Sequence, residues 1–568
     1  MNEVTTDIAI VGSGGAGLFA ALRATAHPAD LDVTVVVKGL FGKSGCTRMV
    51  QGGYNAALHA GDSPEIHLHD TIAGGGYLND QHLAKTLADD APALVEEMEQ
   101  VLGCRFDRTA GGEYDFKPFA GMTRDRTVHR RDLTGIEIVS RLADHVMTRS
   151  GARILEEHRA IDLLLAGDGA RAGGTVAVNI RTGEFLVIRA RAVLVATGGG
   201  ARMYRYSSPS MEKSGDGVAM AFRAGLDLMD MEMLQFHPTG LLAGDSVLTG
   251  SVVEEGLRGA GGLLLNMAGD RFMAAHDPGR MERSTRDIVS QAIYLEVMEG
   301  RGSPQGGVFL DVSHLGAGEV RSEFPGMVQR ASLAGRDLTR EPIEVVPTSH
   351  FHMGGVPIDP MGRTSIEGLF VAGEDAGGVH GCNRLGGNGV AESTIFGARA
   401  GEAMARFASK ASLPAVAPGQ AAEIRNRTQA LQGEPGGTEN PHLLRRTLED
   451  AMWEGAGVVR NRQGLDRALG KLHELGERLA AVQPSGGREY SLGWNEAMDL
   501  ENLLVVAAAL CRSALYRTES RGAHHRSDHP HRDDRRWLRN VVVSPDSDGG
   551  MSVSSTRVEF PFLAPSGR

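Results

Sequence analysis

The chain is poor in several of the features that mark whole protein classes. Its 568 residues include only four cysteines, Cys46, Cys104, Cys382 and Cys511. No two stand at CxxC spacing, so the chain alone offers neither a zinc knuckle nor an iron–sulfur ligand set. So few thiols over such a length fit a reducing compartment without structural disulfides. There is no basic excess either. The formal net charge is −12, which argues against a general nucleic-acid binder. No apolar run approaches the roughly 20 residues of a membrane span; the longest are of the kind seen at 503–511, LLVVAAALC. The opening MNEVTTDIAIVGSGG has no basic region and no apolar signal core, so a cytoplasmic location is expected, with any membrane contact made through a partner.

What the chain does hold is glycine, 76 residues of it, against an otherwise ordinary 41% hydrophobic and 23% charged content. That suggests tight turns and close approaches of backbone to a ligand. The length predicts two to four domains. Residues 7–11, DIAIV, read as a short buried strand that runs at once into GSGGAG, with Gly12, Gly14 and Gly17 in GxGxxG spacing and Gly15 between them. A helix, LFAALRATA, and a second strand, DVTVVVK, follow. In that strand–turn–helix–strand setting the glycines permit the turn and let N–H groups reach a pyrophosphate at the helix N-terminus. The second strand ends in Lys38, not in the acid that would hold an NAD ribose, which favours FAD. Two more strands ending in turns, RARAVLVATGGG at 189–200 and EGLFVAGEDAGG at 367–378, the latter carrying Glu374, complete a split nucleotide domain. The expected organisation is 1–240 and 346–412 for that domain, 241–345 for an insert, 413–540 for a helical domain and 541–568 for a tail.

Four clusters carry candidate chemistry: QFHPTG with His237, EEGLRGAGG with Glu255 and Arg258, RSTRDIVSQAI with Arg286, and the pair PTSHFHMGG and HGCNRLGGNG with His350 and Arg384. Singly each has an ordinary reading, a turn histidine or a solvated ion pair. Together, beside glycine turns at the joints of the insert, they suit a small dicarboxylate, because Arg grips a carboxylate bidentately and His adds a donor.

Through these strings, with QGG at 51–53, SGDG at 214–217, RFM, and ESRGAHHRSDHPHRDDRRW at 519–537, the chain resembles the flavoprotein subunit of succinate dehydrogenase and fumarate reductase, a family that also includes L-aspartate oxidase. The resemblance covers about nine-tenths of the chain. It implies an α/β fold: a Rossmann-like FAD-binding domain, an inserted α+β capping domain and a C-terminal helical domain. It implies hydride transfer between flavin and a succinate- or fumarate-like carbon chain. It also implies electron exchange with a membrane anchor through a separate iron–sulfur subunit. By position, His237, His350 and Arg384 would hold the carboxylates, Arg286 would move a proton, and Glu255 and Arg258 would relay it. Lys38, Ser44, Cys46, Thr47, Gln51, Gly52, Gly53, Asp216, Glu374, Gly389 and Val390 match FAD-contacting positions.

Two departures bear on the chemistry. Cys46 falls where respiratory members carry the histidine that bonds FAD. A cysteine cannot form that histidyl link, and the alternative is a cysteinyl bond. Non-covalent FAD with a lower potential is expected, favouring fumarate reduction or a more easily oxidised substrate. Glu254 stands where the family has a Thr at the substrate, and Ala260 where it has an acid; a glutamate facing a carboxylate would repel it, be protonated, point away, or meet an amine. The alternative to membership of a complex is a free-standing oxidase of the L-aspartate oxidase type; a catalytically dead FAD scaffold is disfavoured by the presence of all the cationic residues together.

Overall fold

The computed structural model describes residues 1–167, 169–433, 437–483, 486–546 and 549–565. Five short runs rich in Val, Ile, Leu and Ala form one parallel sheet, in the order Leu369–Val371, Ala192–Val195, Ile8–Val11, Val33–Val36 and Arg153–Leu155. The four strands other than Arg153–Leu155 are buried, as expected of parallel strands covered on both faces. On one face the helix Gly15–Thr25 packs against Asn388–Ala408. Glycines let these two helices touch: a Cβ on Gly397 would lie 2.3 Å from the Ala16 carbonyl oxygen. A second sheet, Asn2–Thr5, Phe185–Arg189, Ala172–Asn179 and His158–Leu165, lies beside the first.

In sequence between Ala192–Val195 and Leu369–Val371 of the first sheet runs an antiparallel sheet with its own apolar core around Leu257, Leu264, Ile293 and Leu310. Its order is Leu234–Leu241, Ile343–His352, Val308–Asp311 and Leu263–Leu265. The two long strands Leu234–Leu241 and Ile343–His352 cross the expected boundaries at 240/241 and 345/346 and pair with each other, Leu241 opposite Val345 and His237 opposite Thr348. The histidine strands are thus shared between the nucleotide domain and the insert, which is how His237 and His350, far apart in sequence, come together with ring centroids 5.3 Å apart.

Three helices, Pro441–Ala456, Arg462–Leu479 and Leu492–Tyr516, form the C-terminal bundle. Their apolar faces merge with the core under the nucleotide domain, Val506 packing against Gly200 and Gly215. The segment expected as a separate tail behaves differently. Arg539–Pro545 and Met551–Arg557 make a hairpin whose first strand pairs with Leu228–Met229 of the nucleotide domain; residues 547–548 and 566–568 of that tail lie outside the described residues. Among the described residues no helix is long and apolar enough to cross a membrane, and no group of His, Cys, Asp or Glu could hold a metal ion.

Candidate active site

One cavity of about 710 Å³ runs from the first glycine turn to the shared histidine strands. At its nucleotide end Gly12 adopts φ +111°, and a Cβ there would sit 2.1 Å from the Ala196 carbonyl oxygen, so no other residue fits without displacing a strand. Gly17 lies behind the turn, against the Gly12 carbonyl, and the Gly15 N–H donates to Thr47 Oγ1 at 3.0 Å. Gly14, Gly15, Ser44, Cys46, Thr47, Gln51, Gly52, Gly53, Gly389 and Val390 all line this cavity. Ser44 Oγ donates to the Leu40 carbonyl. The Cys46 thiol accepts from the Ser210 N–H at 3.4 Å, and burial pushes its pKa up.

Lys38 and Asp216 meet in a buried lattice. Lys38 Nζ donates to Asp216 at 3.1 Å and to Asp499 at 2.7 Å, while Arg159 reaches the same two carboxylates at 2.7 Å each. Asn502 donates to Asp216 as well. Burial opposes ionisation of Asp216, yet Arg159 and Lys38 outweigh it and hold the carboxyl well below the usual range. Arg159, Asp499 and Asn502 carry no sequence signal of this role; two of them sit on the helix Leu492–Tyr516.

At the far end His237, His350, Arg286 and Arg384 converge on the same cavity. Arg286, first residue of the helix Arg286–Met298, donates from Nε to Glu255 at 2.8 Å and from Nη1 to Gln235 at 3.0 Å. Gln235 stands two residues before His237 on one strand, hence on the same face, a period-two signal that would have found it. Glu255 lies 3.9 Å from Arg258, so the three form a chain from Arg286 inward to Arg258, which is buried. Burial works against the Glu255 charge, but Arg286 and Arg258 keep its pKa low.

Arg384 lies over the Phe351 ring, 4.4 Å from its centroid, and its buried Nε has no hydrogen-bond partner among the described residues. Burial and the neighbouring Arg286 lower its pKa to about 9. Burial and the same arginines press His237 and His350 well below the ordinary histidine value, so both rings are neutral. The Thr239 N–H donates to His237 Nδ1, which leaves the proton on Nε2 as a donor. His350 Nδ1 is held by Ser208 Oγ at 2.8 Å.

Glu254 also lines the cavity, yet its carboxylate is claimed by Lys117, 2.6 Å away. Its charge therefore has a counter-ion that the local sequence does not disclose. Burial raises its pKa against the pull of Lys117.

Residues 7–390 match the FAD binding domain family, and residues 445–568 match the fumarate reductase flavoprotein C-terminal family. The chain is 42% identical over 542 residues to a protein of Methanothermobacter marburgensis named as a fumarate reductase (CoM/CoB) subunit, covering 95% of this chain and 97% of that one. It is 35% identical to the fumarate reductase flavoprotein subunit of Escherichia coli, covering 100% and 96%. A solved E. coli quinol fumarate reductase mutant matches with a TM-score of 0.94 at 34% identity, over 100% of this chain and 99% of that one.

The chain belongs to the fumarate reductase and succinate dehydrogenase flavoprotein family.

It is accordingly an FAD-dependent oxidoreductase, with an α/β FAD-binding domain and a C-terminal helical domain. The cavity suits the cofactor of this flavoprotein family on its own evidence. Gly12, Gly14 and Gly15 bring bare backbone to the cavity wall, and the volume falls in the range of cofactor clefts. The glycine turn would take the pyrophosphate, and the Lys38–Asp216 end the adenosine.

Proposed function

We propose that this flavoprotein interconverts fumarate and succinate, or a close dicarboxylate, as the catalytic subunit of a larger complex. The observation that carries the reading is the convergence of His237, His350, Arg286 and Arg384 on one buried cavity with Glu255 as the one carboxylate hydrogen-bonded to Arg286. Arg384 and the two neutral imidazoles would receive the substrate carboxylates, Arg384 and His237 as donors, strongly so because both side chains are buried. FAD, when bound, supplies the hydride-accepting and hydride-donating ring.

Arg286 would hold the proton exchanged with the substrate carbon. An arginine is a poor acid, with an ordinary pKa above about 12. It can serve only when dry, fixed and reprotonated by a neighbour. Glu255, 2.8 Å from Arg286 and within reach of Arg258, is that neighbour. The Lys117–Glu254 pair makes that stretch of the wall close to neutral, which removes the repulsion a bare glutamate would exert on a dicarboxylate.

FAD would be held without a covalent bond, since Cys46 cannot form a histidyl link. The similarity to chains named as subunits supports a partner subunit. That partner would be an iron–sulfur protein that carries electrons, and through it the cytoplasmic catalytic subunit would meet a membrane anchor. The segment ESRGAHHRSDHPHRDDRRW at 519–537, which resembles the tail of the complex-forming subunits, favours this over a free-standing aspartate oxidase. The test is to load the purified chain with FAD, then follow fumarate reduction by a reduced dye and peroxide formation with aspartate. Fumarate turnover without aspartate-dependent peroxide is expected; brisk peroxide and no fumarate turnover would reverse the choice.

A further inference from the structure

Lys213 is a buried cation in the cofactor cavity that the proposed chemistry leaves unused. It sits in the loop before the helix Asp216–Arg223. Only 3% of its side chain is exposed, and its Nζ pairs with Glu374 Oε1. The same Nζ lies 3.5 Å from the His350 carbonyl oxygen and 5.8 Å from the Phe351 ring centroid. Glu374 Oε1 also accepts the His352 N–H at 2.9 Å. The pair packs under the glycine turn after Ala192–Val195: a Cβ on Gly198 would lie 3.7 Å from Lys213 Cγ, and one on Gly199 3.0 Å from Glu374 Oε1. Both residues line the cavity, between the glycine cradle and the histidines.

A buried ion pair is a weak source of stability, since two apolar side chains of similar volume do as well or better. Its placement points to a ligand whose charge changes. Reduction of the flavin by two electrons with uptake of one proton converts a neutral ring to one bearing a negative charge. In a dry cavity a nearby cation favours that form and a nearby carboxylate opposes it.

We propose that Lys213 guards the flavin reduction potential by cancelling the charge that Glu374 would otherwise place beside the cofactor. The inference rests on the FAD-binding domain and not on the identity of the substrate, so it survives if fumarate is not turned over.

The test is a charge ladder. Midpoint potentials of the FAD-loaded protein would be measured by dithionite titration with reference dyes, for the parent, Glu374→Gln, Lys213→Met, Lys213→Arg and the double variant Lys213→Met/Glu374→Gln. FAD dissociation constants would be measured alongside by titrating the apoproteins. The expected order is Glu374→Gln highest, parent, Lys213→Arg and the double variant together, and Lys213→Met lowest. Lys213→Met should cut the reduced-to-oxidised ratio at fixed potential about tenfold, which is about 30 mV for a two-electron couple. If Lys213→Met does not fold, Glu374→Gln against the double variant carries the same comparison. Equal midpoints across the ladder would overturn the proposal, as would loss of FAD from both the double variant and Lys213→Arg, which would make the pair an assembly contact.

Discussion

The two ends of the cavity treat charge in opposite ways. At the nucleotide end two cations, Lys38 and Arg159, face two carboxylates, Asp216 and Asp499, and Asn502 adds a neutral donor. Every charge there has a partner of opposite sign. At the far end Arg286, Arg384 and Arg258 crowd two neutral histidines, and Glu255 is the carboxylate that pairs with Arg286. The buried Nε atoms of Arg384 and Arg258 have no hydrogen-bond partner among the described residues. The first end is complete in itself and gives the fold a fixed seat for a nucleotide. The second gathers like charge, which a doubly negative small molecule of the proposed kind would offset.

Substitutions that attack the unbalanced end should show the largest effects. Arg286→Lys should lower dicarboxylate turnover about a thousandfold, within the range for a positioned proton donor, while calorimetry finds the dicarboxylate still bound; turnover near the parental rate would remove Arg286 from the proton path. Next comes the balanced end. Asp499→Asn leaves Lys38 and Arg159 short of an anion, and removing one member of a buried pair costs about 3 kcal/mol. Its thermal midpoint and FAD retention should fall, with KM for the dicarboxylate unchanged in the loaded fraction. Asp216 and Asp499 both have depressed pKa values, so their contribution is full above the ordinary carboxylate range and is lost as pH falls through the folded values. The parent should therefore lose more stability on acidification than Asp499→Asn.

A smaller effect separates the ends by pH. With Arg384 lowered to about 9, kcat/KM should fall about tenfold per unit above that pH as its charge is lost. No inflection should appear near 6.5, because His237 and His350 are already neutral there. A clear inflection at that pH would mean that a protonated histidine is required. The smallest effect is expected at Cys46. Cys46→Ala should leave flavin content and acid-released flavin as in the parent; flavin retained by acid-precipitated parent protein, and released from the variant, would show a cysteinyl bond.

Local patterns disclose one side of this contrast better than the other. The Ile8–Val11 strand, its glycine turn and the following helix are contiguous, so spacing alone identifies them. The residues of the catalytic end each stand in a short string around a turn or a helix start. The balancing partners do not. Lys117 meets Glu254 from 137 residues away, Lys213 meets Glu374 from 161, and Asp499 meets Lys38 from 461. An isolated lysine or aspartate on a helix reads as a solvated charge, and only tertiary packing makes it a buried one. The domain boundaries meet the same limit, because Leu234–Leu241 and Ile343–His352 each continue through a joint as one uninterrupted strand. The hairpin at the end of the chain likewise depends on a two-residue strand, Leu228–Met229, too short to announce itself.

The reach of Asp499 to Lys38 sets a timetable for assembly. During synthesis the glycine turn leaves the ribosome among the first segments, yet the acid that steadies its neighbouring lysine follows 461 residues later. The Lys38–Asp216 lattice gains its second carboxylate only when the helix Leu492–Tyr516 docks. A nucleotide site built on this lattice would therefore be complete only on a nearly full-length polypeptide.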